Sequence, residues 1–144
     1  MHHQEFIAQL DEAKVLAAIA RAELTTSGEI RVAISHHHRP DALAAAQKRF
    51  KKLGMHKTPG RNAVLIYFAP RSHTFAVWGD IAVHEKCGDE FWQGVAAKIS
   101  PRLKAGQFTE AVVEAVEEIG AVLAKHFSPG QDGKNQLADE IVRD

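Results

Sequence analysis

Residues 62–69 read Asn-Ala-Val-Leu-Ile-Tyr-Phe-Ala, with no charged side chain in the stretch. Neighbouring side chains of an extended segment point to opposite faces. An unbroken apolar run therefore predicts a central strand with both faces covered. Cover on two sides requires further strands beside it and helices above and below, and the flanking sequence supplies both. Glu29–Ser35 (Glu-Ile-Arg-Val-Ala-Ile-Ser) places Ile30, Val32 and Ile34 in alternation and reads as a strand. Pro70-Arg71-Ser72 reads as a tight turn, and His73–Trp78 as a third strand that closes a hairpin. Gly79-Asp80 breaks this strand, and Ile81-Ala82-Val83 is expected to be a short continuation or an edge strand.

Helical periodicity fills the remainder. Ile7, Leu10, Val15, Leu16 and Ile19 predict one amphipathic helix over about residues 4–24, stopped near Gly28. Asp41 is a candidate cap for a helix through Leu53, ended by Gly54, with Leu43, Ala46, Phe50 and Leu53 inward. A helix from Asp89 to Lys104 carries Phe91, Trp92, Val95 and Ile99 inward and is expected to kink at Pro101. The last helix begins at Thr109, with Phe108, Val112, Val116, Ile119, Leu123 and Phe127 as its apolar stripe. The order is helix, strand, helix, strand, strand, helix, helix. A strand–helix–strand unit calls for parallel strands and a right-handed crossover, and the hairpin adds an antiparallel strand. The expected fold class is α/β, a small mixed central sheet with helices on both faces. At 144 residues the chain is one domain's worth of sequence. Its body is expected over 1–128. Residues 129–144, polar and without strong periodicity, are expected to be a flexible tail or a poorly packed last turn.

The chain carries 18 Lys and Arg against 18 Asp and Glu. A zero balance gives no general attraction to nucleic acid or to an anionic membrane, and neither partner is expected. One cysteine, Cys87, excludes an internal disulfide framework. Its place beside Gly88, read as a helix start, would lower its pKa, although lone cysteines are commonly bystanders. The N-terminus (Met-His-His-Gln-Glu) lacks a basic segment followed by an apolar core, so a soluble cytoplasmic protein is expected. His2 and His3 read either as a natural start or as an added remnant. Gly54–Arg61 matches a phosphate loop only loosely, because the lysine and hydroxyl residue after the second glycine are missing.

The topology sorts polar residues between two poles. Strands one and two begin at the pole where the reversed third strand ends. Glu29, Arg61, Asn62 and Asp80 are therefore expected together, joined by Glu85 and Asp89. Carboxylates with an amide oxygen suit a hard cation such as calcium or magnesium. The candidate metal ligands are Asp80, Glu29, Asn62, Glu85 and Asp89, with Arg61 and Arg31 as anion-binding groups. A bidentate Arg61–Asp80 ion pair is the competing reading. The opposite pole collects His36, His37, His38, Arg39, Arg71 and His73. There His36, His38 and His73 form a secondary candidate site, at the strand ends where open α/β sheets usually bind ligands.

The segments TTSGEIRV (25–32), FKKLGMHKTPGRNAVLIYFA (50–69), FAVWGDIAVHEKCGDEFW (75–92) and the terminal KHF (125–127) resemble the TPM-domain family, also called thylakoid-lumen-phosphatase-like, over residues 5–128. The resemblance implies an αβα sandwich and a short soluble form. It places Glu29, Arg31, Thr58, Arg61, Asn62 and Asp80 on the family's polar motif positions, with Ala63 where a glycine is usual. It also implies a range of activities: acid phosphatase, divalent-metal binding, and accessory roles toward protein partners. Three functions fit these residues: a metal-binding module without turnover, an interaction domain for a protein partner, and a metal-dependent phosphatase acting on phosphomonoesters. In the last, the cation would polarise a phosphoryl oxygen while Arg61 or Arg31 held the phosphate. No nucleophile motif accompanies these residues, so binding is favoured over catalysis.

Overall fold

A computed structural model describes residues 3–129 and 141–143. The N-terminal helical stretch is two helices, α1 (His3–Gln9) and α2 (Glu12–Glu23), not one. The cause is Asp11, whose carboxylate accepts the Lys14 N–H at 3.2 Å and caps α2. Strand β1 (Glu29–Ile34) follows, then helix α3 (Ala42–Lys52). Asp41 caps α3 as expected, accepting the Ala44 N–H at 3.0 Å. Gly54 ends the helical region with φ of 73°, a left-handed conformation that favours glycine. Ala42, Ala46 and Phe50 form the inner face of α3, whereas Leu43, expected inward, is 47% exposed. A short 3₁₀ turn (Met55–Lys57) leads into β2 (Ala63–Ala69), and β3 (Thr74–Gly79) returns antiparallel to it.

Ile81-Ala82-Val83 are not a strand. They open helix α4 (Ile81–Lys104), because Asp80 acts as its cap, with its carboxylate accepting the Ile81 N–H at 2.8 Å. Helix α4 is interrupted at Gly88 (φ 70°, ψ 176°) and runs on through Pro101, the expected kink position. The expected start at Asp89 marks the resumption after Gly88. Helix α5 (Phe108–His126) buries Phe108, Val112, Val116, Ile119 and Leu123. The last strand, β4 (Ile141–Arg143), falls inside the stretch read as a polar tail, so that reading is corrected for these three residues. Ile141 packs against one core and Val142 against the other, the alternation a strand demands. Residues 130–140 and 144 of that tail, together with Met1 and His2, lie outside the described residues.

The sheet order is β3-β2-β1-β4. Strand β1 pairs parallel with β2, Glu29 opposite Ala63, and parallel with β4, Val32 opposite Ile141. All seven residues of β2 are buried, as its composition demands. Val64, Ile66 and Phe68 enter a large core with residues of α1, α2, α4 and α5. Ala63, Leu65, Tyr67 and Ala69 enter a smaller one with Ala46, Phe50 and Met55. The α/β architecture with helices on both faces is thus observed. Among the described residues, four helices cover one side and α3 alone the other.

The packing of α2 on α5 is tight at one point. A Cβ built on Gly120 would stand 2.7 Å from Ala22 Cβ. Gly120→Val is expected to cost roughly 1–3 kcal/mol through overpacking, read as a lower urea midpoint. An unchanged midpoint would show that the two helices have room. Cys87 lies just before the Gly88 break, half-buried against the large core, and burial pushes its thiol up rather than down. The thiolate is the reacting form, and a raised pKa leaves less of it at neutral pH. Iodoacetamide at pH 7 is therefore expected to alkylate Cys87 more slowly than a free cysteine peptide. Equal rates would contradict a half-buried thiol with a raised pKa.

Candidate functional site

Among the described residues, most of the buried polarity lies at the entry pole of β1 and β2. Thr26, Glu29, Arg31, Thr58, Asn62 and Asp80 are each 6% exposed or less. Burying such groups is unfavourable unless partners are supplied, and the turns supply several of them. Thr26 donates its hydroxyl to the Leu123 carbonyl at 3.0 Å and accepts the Gly28 N–H at 3.1 Å, tying the α2–β1 turn to α5. Asn62 donates from its amide to Ser27 Oγ at 3.1 Å. Glu29 and Arg31 share the face of β1 that carries Ala33 toward α3, by the alternation of the strand.

Asp80 leaves β3 beside the start of β2, as the hairpin requires. Its N–H donates to the Ala63 carbonyl at 2.9 Å, and the Ala82 N–H donates to the Arg61 carbonyl at 3.1 Å. Its side chain is gripped by Arg61 in a bidentate fork, Nε to Oδ2 at 2.6 Å and Nη2 to Oδ1 at 2.8 Å. The ion-pair reading of these two residues is therefore the one the geometry realises. The Asp80 hydrogen bond raises the Arg61 guanidinium above its usual value, so it stays charged. Asp80 is almost wholly buried while the Arg61 side chain is 44% exposed. One partner anchors and the other presents. Arg61 also adopts φ of 50°, a left-handed backbone that costs a non-glycine residue roughly 1–2 kcal/mol. Such strain persists only where the surroundings hold it, and here the fork to Asp80 and the Ala82 N–H do so.

The pair lies in the wall of a cleft of about 640 Å³ between α3 and the start of α4. Phe50, Trp78 and Ile81 give it apolar surface, and Lys51, His56, His84 and Glu85 add charge or hydrogen-bonding capacity. The Trp78 and His84 rings stand 6.2 Å apart, centroid to centroid. Of the five expected metal ligands, only Asp80 and Glu85 line this cleft. Glu29 and Asn62 are buried and outside its lining, with the Asn62 amide turned to Ser27. Asp89, 79% exposed, lies 3.9 Å from His84. Among the described residues no three His, Cys, Asp or Glu side chains converge as a metal site. The carboxylates therefore do not form a closed cage, although two of them share one wall.

The histidine pole is built as a loop tie. His38 Nδ1 is 3.1 Å from Ser72 Oγ, the Arg39 N–H donates to the same hydroxyl, and Thr74 donates to the Arg39 carbonyl at 2.7 Å. His73 closes the β2–β3 turn with φ of 56° and is exposed. His36, His38 and His73 belong to no converging metal-ligand group among the described residues. Sequence reasoning passed over His56, His84 and Lys51 as cleft residues. The recoverable signal was His84, four residues after Asp80: once Asp80 is a helix cap, His84 lies one turn along from it.

Comparison with known proteins agrees with this architecture. The family model described as TPM domain matches residues 1–122. The chain is similar to the BA42 protein of the psychrophilic bacterium Bizionia argentinensis, whose NMR structure superposes with a TM-score of 0.85 at 33% identity. That match covers 94% of this chain and 96% of the other. The N-terminal domain of cg2496 protein from Corynebacterium glutamicum superposes with a TM-score of 0.62 at 15% identity, covering 81% and 75%, a likeness of fold alone. No curated protein matches the chain. Among the described residues no helix is long and apolar enough to cross a membrane. With the family model matching most of its length and the fold shared with BA42 over 94% of the chain, the chain belongs to the TPM domain family.

Proposed function

We propose that this TPM domain is a binding module whose site is the α3–α4 cleft, and that Arg61 takes an anionic group there, a carboxylate or a phosphate. The observation that carries this reading is the asymmetric burial of the ion pair. Asp80 consumes only one edge of the guanidinium, through Nε and Nη2. Nη1 has no protein partner among the described residues, and the side chain stands at the surface of the cleft. A guanidinium already oriented loses less freedom when it meets a second planar anion. Asp80 is then a positioning residue. Lys51, His56 and His84 stand along the same cleft, and Phe50, Trp78 and Ile81 offer surface to an apolar body, the usual composition of a small-ligand site.

The second reading is a divalent cation, calcium or magnesium, at Asp80. The observation in its favour is that Asp80 and Glu85 share one wall of the cleft. A cation there competes with Arg61 for the same oxygens. Phosphomonoester turnover is the alternative built on both: a phosphoryl group on Arg61 with a cation at Asp80. It lacks an evident nucleophile, since Asp80 is engaged by Arg61 and by the Ile81 N–H.

The readings separate by thermal shift. A ligand that binds only the folded state stabilises it by about 2.7 kcal/mol at a hundred times its Kd. Phosphate or succinate is expected to raise Tm in the parent and not in Arg61→Lys, which keeps the charge but loses the fork. A rise of equal size in the variant would sink the anion reading. Calcium or magnesium raising Tm in the parent and not in Asp80→Asn, with no anion response, would put the cation reading in its place. Hydrolysis of p-nitrophenyl phosphate that disappears in both variants would make the site catalytic. Independently of ligand, Asp80→Ala is expected to cost about 1–2 kcal/mol through loss of the α4 cap, measured by urea denaturation. A smaller loss in Asp80→Asn, which keeps the cap, would assign that part of the cost to capping.

A further inference from the structure

The zero net charge of this chain conceals a strong segregation. The 38 residues from Ala42 to Gly79 hold seven Lys and Arg and no Asp or Glu. Of the 18 basic residues, eleven are left for the rest of the chain, against all 18 acidic ones. The fold collects much of this positive segment on one surface, because α3 is the only helix on its face of the sheet among the described residues. Lys48, Lys51, Lys52 and Lys57 are exposed there, and none forms an ion pair among the described residues. The other side of the molecule behaves differently: Lys98 pairs with Glu118 at 3.0 Å and Arg102 with Glu114 at 2.5 Å. The helix dipole favours cations in the last turn of α3, and this accounts for Arg49, Lys51 and Lys52. It does not account for Lys57 beyond the helix. It also does not offset the like-charge spacing of Lys48 to Lys51 and Lys52, three and four residues apart, which opposes the helix.

We infer that the exposed face of α3 is a docking surface for an acidic protein segment that carries an apolar anchor residue. Arg39, Lys48, Arg49, Lys51 and Lys52 line a depression of about 680 Å³. Gln47 and Lys51 belong both to this depression and to the cleft that holds Phe50, Trp78 and Ile81. The basic surface thus runs into an apolar one, and Ile81, in the wall of that cleft, is 55% exposed. An eleven-residue helix presents a face about 16 Å long, the reach of roughly five extended residues. That length suits a short acidic stretch ending in a side chain that enters the cleft. A long polyanion is disfavoured by the excess acid on the rest of the molecule. The patch cations are mostly lysines, point charges without the forked geometry that reads bases or phosphates. The charges that carry this surface are distinct from Arg61, so the docking face goes beyond the anion site proposed above.

The test is fluorescence anisotropy with the whole chain and a short fluorescein-labelled peptide of glutamates flanking a leucine pair. Binding is expected, and it weakens as salt is raised. Lys48→Glu with Lys52→Glu is expected to weaken it at least about tenfold by charge reversal at the contact. Lys48→Gln with Lys52→Gln weakens it less, and Glu117→Lys on the outer face of α5 leaves it unchanged. Unaltered melting of the variants shows that they fold. The inference is overturned by no binding, by binding that survives the double reversal, or by tighter binding of a single-stranded oligonucleotide or a phosphatidylserine vesicle. Loss in Arg61→Lys with full binding in the double reversal would also overturn it and leave the cleft reading standing.

Discussion

Strand β2 has no face left for water. All seven of its residues are buried, and each side needs its own layer: Val64, Ile66 and Phe68 face four helices, Leu65 and Tyr67 face α3. Neither layer alone buries the strand, so the α/β sandwich is the arrangement that satisfies this segment. The burden is unequal. The large core draws on α1, α2, α4 and α5, whose apolar stripes also pack on one another, while the α3 side is thin and built mainly from Ala46, Phe50 and Met55. Among the described residues a single helix covers that face, and its outer surface carries two clefts and the lysines that form no ion pair.

With the strand interior closed to polar groups, polarity moves to the strand ends. Among the described residues, six of the seven buried polar ones lie at the pole where β1 and β2 begin and β3 ends. Turns and caps hold Thr26, Asn62 and Asp80 there, and the Arg61–Asp80 fork joins the start of β2 to the start of α4. Asp80 thereby serves two purposes, as the cap of a helix and as the anchor of a cation. Removing its carboxylate would disturb both. Arg61, in left-handed backbone and half in solvent, is the member of this pole that can meet something else.

Much of this was legible in the sequence, and the places where reading failed have physical causes. The strand–helix–strand–hairpin order, the Asp41 cap and the Gly54 stop came through because each is local: a period, a side-chain oxygen, a positive φ. The α1–α2 break did not, because the apolar period runs on past Asp11 and only the capping bond to Lys14 reveals it. Ile81-Ala82-Val83 has strand composition but is helical, because Asp80 caps the turn and Gly79 leaves room where a Cβ would meet Val83 at 2.9 Å. Strand β4 is three residues long, and its reason is the open edge of β1, invisible from Ile141 and Val142 themselves.

The sequence by itself determined the layers, since hydrophobic period and turn chemistry act over a few residues, and it determined that Asp80 would return to the start of β2, since a hairpin admits no other direction. The TPM resemblance was likewise legible from its scattered motifs. Only the tertiary structure decided what the carboxylate does there. Whether Asp80 faces Arg61, Glu29 or Asn62 depends on which side of the sheet each strand end turns to, and on the left-handed backbone of Arg61. Both are set by packing between distant segments, and no local pattern encodes them.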